Sequence, residues 1–253
     1  MLFIPLSDDN PLRYVPYPWM TVGLIAANIA VFAWQSIQPT VWASFGLVPN
    51  ELAQVGIFGG SAYGPNDTIA VPEVYTLLSY MFLHADFLHL ASNMIFLWVF
   101  GDNIEDAMGH WKFLAFYLAC GVAGGIAHAL MLPTSRLQLI GGSGAMAGVI
   151  SAYLVLHPRV RVWVLAFRFI PMQISAAWVL GLWACTQVCM ALFSRGDQVA
   201  SGAHVGGMIA GAVLIMFMRR PGVPLLDRAP ATAVEASWPI PGHAVPSRPS
   251  ELP

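Results

Sequence analysis

The chain has 253 residues, of which 57% are hydrophobic and only 9% charged, with a formal net charge of −2. Soluble domains carry about 25% charged residues; a chain this poor in charge cannot cover itself in water, so its solvent is largely lipid. The near-neutral balance also offers no basic face for a nucleic acid, and none is expected as a partner.

Residues 1–18 hold Asp8, Asp9 and several prolines, with no basic stretch leading into an apolar one. They are expected to be a cytosolic N-terminal segment rather than a cleaved signal, with insertion through the first span. Six apolar segments follow, near Trp19–Ile37, Phe87–Asp106, Trp111–Met131, Ile140–Leu156, Ile174–Phe193 and Ala200–Met218. Each is close to the length that crosses a bilayer as a helix, so the fold class is all-α: a polytopic bundle of six transmembrane helices over residues 19–219.

The long loop 38–86 has no lysine or arginine but carries Glu51, Asp67, Glu73 and Asp86. Arg13, Lys112, Arg159, Arg161, Arg168, Arg219 and Arg220 fall on the other side of the spans, outweighing Arg136 and Arg195. The positive-inside rule then makes the long loop external and puts both termini in the cytosol.

Span two opens with His84, His89 and Asn93. His89 and Asn93 lie four apart on one helix face, where side-chain N–H groups can stabilise a developing oxyanion; interfacial histidines and a helix-bridging asparagine are the plainer alternative. His84 reads as structural. Asp102, Glu105 and Asp106 lie at the inner end of the span and read as boundary residues that bind a neighbouring loop. In span three, His128 reads as structural.

Span four opens with Gly141-Gly142-Ser143-Gly144. Glycines around a serine at a helix start give its hydroxyl access and leave backbone N–H groups free to hold an oxyanion, though a simple Gly/Ser turn has the same string. Residues 157–173 alternate valines with arginines and suggest a short interfacial hairpin. Cys120, Cys185 and Cys189 lie in apolar runs without CxxC spacing and are expected to be buried apolar residues.

Span six holds His204, followed by Gly207 and Gly211. Gly144 and Gly148 of span four have the same spacing, and small residues four apart let membrane helices approach closely. Such an approach brings a general base toward Ser143; a packing face with a hydrogen-bonded histidine is the alternative. The histidines lack a carboxylate at ligand spacing and no HExxH occurs, so neither a metal nor another cofactor is expected. Residues 220–253 are rich in proline and read as a disordered cytosolic tail.

The three clusters, His89-x-x-x-Asn93, Gly141-Gly142-Ser143-Gly144 and His204-x-x-Gly207-x-x-x-Gly211, together resemble the rhomboid family of intramembrane serine proteases, in its bacterial type. The resemblance implies a Ser-His dyad, with Ser143 as nucleophile and His204 as general base. It implies that His89, Asn93 and the Ser143 backbone stabilise the oxyanion, that Gly101 and Glu105 belong to the pattern, and that membrane-spanning proteins are cut near the outer membrane face. A compact core without a transit peptide suggests a bacterial inner membrane. Two departures stand out: Ala147 occupies the position of a tyrosine that packs on the histidine in many rhomboids, and the first loop lacks the arginine of a Trp-Arg pair. With no aspartate to orient the imidazole, packing by spans four and six is expected to do so. An inactive rhomboid-like protein that binds membrane clients and a small transporter or channel are the rival readings.

Overall fold

The computed structural model describes residues 3–38, 40–56, 67–166, 169–193 and 200–226. Strand β1 (Phe3–Asp8) leads to helix α1 (Trp19–Ile37); the first loop carries the short α2 (Pro49–Val55) and α3 (Glu73–Ser79). Helices α4 (Phe87–Phe96) and α5 (Asp102–Met108) continue one another through a π turn at Leu97–Gly101. Helix α6 (His110–Met131), α7 (Ser143–Leu156), the hairpin β2 (Arg161–Ala166) and β3 (Ile170–Ser175), α8 (Ala176–Phe193) and α9 (Ser201–Met218) complete the chain.

By length and composition, four described helices can cross a bilayer, namely α1, α6, α8 and α9. A fifth span results if Glu73–Phe82 and Phe87–Met108, bent by 83° at their junction, count as one. The sixth expected segment is α7, whose 14 residues reach about 21 Å, short of the roughly 30 Å of hydrocarbon. It can be short because protein surrounds it: Gly144 through Ile150 are buried without interruption, as are Ala152 and Tyr153. Helix α1 is the opposite case. Only Thr21, Leu24, Asn28 and Gln35 are buried, a single helical stripe that holds polar side chains and turns the apolar majority outward. Gln35 exchanges two bonds with the His84 backbone, at 3.2 and 3.0 Å, and so ties the end of α1 to the turn that starts α4.

The acidic residues of α5 do bind a neighbouring segment. Asp106 accepts the backbone N–H groups of Arg13, Tyr14 and Val15 at 2.9, 2.6 and 2.7 Å. Glu105 accepts those of Met20 and Thr21, at 3.0 and 2.8 Å, and is paired with His110. These two carboxylates supply partners for the chain entering α1, where the first turn of a helix has none of its own.

The helical bundle carries one small addition: β1, β2 and β3 form an antiparallel sheet in that order. The hairpin anticipated over 157–173 is its core, with Val162, Val164 and Ala166 inward and Arg161 outward; Arg168 lies outside the described residues. Within the segment 1–18, residues 3–8 are thus part of the fold, because β1 pairs with β2. Of the stretch 220–253, residues 220–226 lie against the base of the bundle: Arg220 N–H bonds Ala107 O at 2.8 Å and Leu226 N–H bonds Val155 O at 2.9 Å. The remainder, 227–253, lies outside the described residues, as does Arg195. Of the cysteines, Cys120 is buried but Cys185 and Cys189 are exposed. In lipid an apolar side chain gains nothing by leaving the surface, so an apolar run does not predict an interior position.

The first loop holds its place without an arginine. Leu47 and Leu139 exchange backbone bonds at 3.1 and 2.7 Å, Asn50 N–H reaches Ser135 O at 2.9 Å, and the Gln138 amide donates to Ala43 O. The loop is thereby stitched to the segment that leads into α7. Residues 57–66 of it lie outside the described residues.

Candidate active site

Helices α6, α7 and α9 meet backbone to backbone. A Cβ at Gly207 would fall on the Gly144 carbonyl oxygen, and one at Gly211 on that of Gly148. On the α6 side, a Cβ at Gly124 would lie 2.7 Å from Ala203 O. Glycine alone allows this approach, and side chains one turn away are brought into range.

Ser143 Oγ and His204 Nε2 are 2.8 Å apart, across 61 residues of sequence. Neither residue is fully buried. The turn before Ser143 also needs glycine: Gly141 has φ +114°, and a Cβ there would sit 2.6 Å from the His89 ring. The first intrahelical bond of α7 runs from Met146 N–H to Gly142 O at 2.9 Å. The Ser143, Gly144 and Ala145 N–H groups therefore precede the ladder and point out of the helix start.

A cavity of about 370 Å³ opens over this pair, lined by His89, Ser92 and Asn93 from α4, His128 from α6, Ser143 and Met146 from α7, Trp183 from α8 and His204 from α9, among others. Asn93 is buried, and its Nδ2 has no hydrogen-bond partner among the described residues. A buried donor without a partner is costly to a fold, and this one borders the cavity. His89 is set by its own helix start, where Asp86 caps α4 by accepting His89 N–H at 2.8 Å. His84 is buried beside it, ring centroids 5.1 Å apart, and lines none of the cavity. His128, read from sequence as structural, does reach the cavity wall.

The imidazole of His204 is not held by spans four and six alone. Ala147 is fully buried and leaves the ring without an aromatic neighbour on α7. Instead Trp183 of α8 packs on it, with centroids 5.6 Å apart, and Gln187 Oε1 lies 2.6 Å from Nδ1. Sequence reasoning missed both. The signal was present: Gln187 is the lone amide on a largely apolar helix, and a polar side chain inside a span is a functional candidate by default.

Together these groups have what acyl transfer needs: a hydroxyl bonded to an imidazole, a third group behind the imidazole, and donors converging where an oxyanion would form. Residues 71–221, more than half of the chain, match the family model described as the Rhomboid domain. The chain is 27% identical over 217 residues to RHOMBOID-like protein 12, mitochondrial, of Arabidopsis thaliana, covering 79% of this chain and 59% of that protein. It is 27% identical over 147 residues to Rhomboid protein 1, mitochondrial, of Saccharomyces cerevisiae, covering 56% of this chain and 41% of the relative. To the Rhomboid protease GluP of Bacillus subtilis it is 32% identical over 146 residues, 58% of this chain and 26% of the relative. The aligned parts thus amount to less than two thirds of each of these relatives.

Proposed function

The chain belongs to the rhomboid family, and from that premise we propose that it is an intramembrane serine endopeptidase acting on membrane-spanning proteins. The observation that carries the reading is the 2.8 Å contact between Ser143 Oγ and His204 Nε2 at the floor of an open cavity. The bacterial relative GluP, named a protease, supports the same class.

In this reading Ser143 Oγ attacks the scissile carbonyl and His204 Nε2 takes its proton. The tetrahedral oxyanion accepts hydrogen bonds from the Ser143 N–H, the Asn93 amide and the His89 ring, the first two of which have no competing partner among the described residues. His204 then returns the proton to the leaving amine, and a water activated by the same imidazole releases the acyl group. His89 and Asp106 lie near opposite ends of the continuous α4–α5 rod, so the cavity and the arginine-rich base face opposite sides of the bilayer. With Arg13, Arg159, Arg219 and Arg220 gathered at that base, we propose cytosolic termini, cleavage near the outer face, and a bacterial inner membrane as the setting.

The test is cleavage of a panel of single-span substrates by the purified protein. Ser143→Ala and His204→Ala should each lower the rate by several orders of magnitude while thermal unfolding in detergent stays unchanged. A Ser143→Ala protein that cleaves normally would sink the assignment.

A further inference from the structure

A neutral imidazole has one N–H and one lone pair, and a serine hydroxyl is activated only if the lone pair faces it. In enzymes with a catalytic aspartate, that group fixes the choice. Here no carboxylate lines the cavity among the described residues, and the partner that His204 Nδ1 meets is the amide of Gln187, at 2.6 Å.

Which end of that amide faces the ring follows from its other neighbours. The Thr186 hydroxyl donates to Trp183 O at 2.6 Å, so its lone pairs are left to accept. Gln187 Nε2 donates to that oxygen at 3.4 Å. The amide nitrogen is thereby turned toward Thr186 and the amide oxygen toward His204. Oε1 can only accept, so Nδ1 carries the proton and the Nε2 lone pair is left for Ser143 Oγ, 2.8 Å away. One directed chain runs from the nucleophile through the imidazole to the backbone of α8. Gln187 is buried, as a group that fixes orientation needs to be.

An amide also suits the place better than a carboxylate. A negative charge within a span costs several kcal/mol unless it is fully compensated, whereas an amide dipole orients the ring without leaving a charge in lipid.

We propose that Gln187 is a positioning residue of the site, accepting the Nδ1 proton of His204 and so holding the tautomer in which Nε2 receives the Ser143 proton. This rests on the Ser143–His204 reading above. Gln187 does the orienting that Asp does in soluble serine hydrolases, and it comes from α8, the helix that contributes neither nucleophile nor base.

The test compares Gln187→Met and Gln187→Glu with the parent protein on a single-span substrate, recording kcat, KM, the pH profile of kcat/KM and thermal unfolding. The titratable groups facing His204 are His89 from α4 and His128 from α6, and both remain in both variants, as does its partner Ser143 from α7. Gln187→Met keeps the volume but removes the acceptor, so kcat should fall about 10- to 100-fold with KM within about twofold. Gln187→Glu restores an acceptor oxygen, so it should recover most of kcat. Its carboxylate also favours the protonated ring, so the acid limb of kcat/KM should move to higher pH. Wild-type kcat in Gln187→Met, or a loss confined to KM, overturns the proposal. So does a Gln187→Glu enzyme no faster than the Met variant with an unmoved acid limb. If the Met variant does not fold, the acid limb of the Glu variant decides by itself. Ser143→Ala run alongside separates the two levels: activity that survives it removes the dyad itself, while an inactive Ser143→Ala with an unaffected Gln187→Met removes only the role of Gln187.

Discussion

Helices α7 and α8 are both apolar and both touch the site, yet they are held in different ways. Helix α7 is locked between α6 and α9 by glycines at which no Cβ fits. Helix α8 buries only Ala176, Val179, Leu180 and Gln187, and a Cβ at its Gly181 would meet nothing within 4 Å. In lipid no hydrophobic force drives helices together, so close backbone contact or a hydrogen bond must do it. The centre uses the first device. The periphery uses the second: α8 hangs from the sheet at its start, where Ala176 N–H bonds Val160 O at 2.8 Å, and touches the His204 ring through Trp183 and Gln187. The nucleophile and base thus sit on the tightly packed part, and the group behind the base sits on the helix with fewer buried residues.

The sharpest way to break this contrast is to give both regions the same insult. Gly207→Leu drives a side chain into the Gly144 carbonyl and should abolish both the folded state in detergent and cleavage. Gly181→Leu adds the same side chain where there is open space, and its thermal midpoint should stay within about 2 °C of the parent. Equal tolerance of the two substitutions would mean that α7 and α9 do not pack as tightly as their backbones indicate.

The next largest effect contrasts two groups that face the reaction from opposite walls. Asn93→Ala removes a donor that has no partner among the described residues. Its loss should leave KM and stability nearly unchanged and lower kcat by about 10²–10³, more than the loss of the Gln187 acceptor. A lowered thermal midpoint with normal kcat would make Asn93 a packing residue instead.

The same contrast explains what the sequence disclosed. The helical membrane bundle was legible because charge is scarce over long runs, and the glycine pairs of α7 and α9 were legible because their spacing has a mechanical meaning. The partner of Gln187 was not, because it is set by how α8 leans on α9, which no local pattern encodes. The sheet escaped for a related reason: the hairpin shows alternation, but β1, with Pro5 and a register shift before Ser7, reads as part of an N-terminal segment until β2 is placed beside it. The first loop was clear as a loop, while its stitching to residues 135–139 depends on backbone bonds that any sequence can make.

The smallest expected effect concerns the sheet from which α8 hangs. Asp8 of β1 accepts bonds from the Tyr153 hydroxyl at 2.5 Å and the Asn103 amide at 3.0 Å, with Asp102 of α5 close by. Burial raises its pKa from 3.8 to about 6, outweighing the hydrogen bonds that favour the charged form. A carboxyl whose pKa is higher folded than unfolded binds its proton more tightly in the folded state. Its contribution is therefore fully present below about pH 4, is lost as pH rises through about 6, and changes no further above that. Acidifying from pH 7 to pH 5 should then slow hydrogen exchange of the β1 and β2 amides, after correction for the intrinsic rate, and leave the α7 and α9 amides as they were. Asp8→Asn should show the slow exchange at both pH values, because the neutral amide needs no proton. Faster exchange in β1 on acidification would show that the charged carboxylate is the form the sheet prefers, and that the hydrogen bonds from Tyr153 and Asn103 outweigh burial.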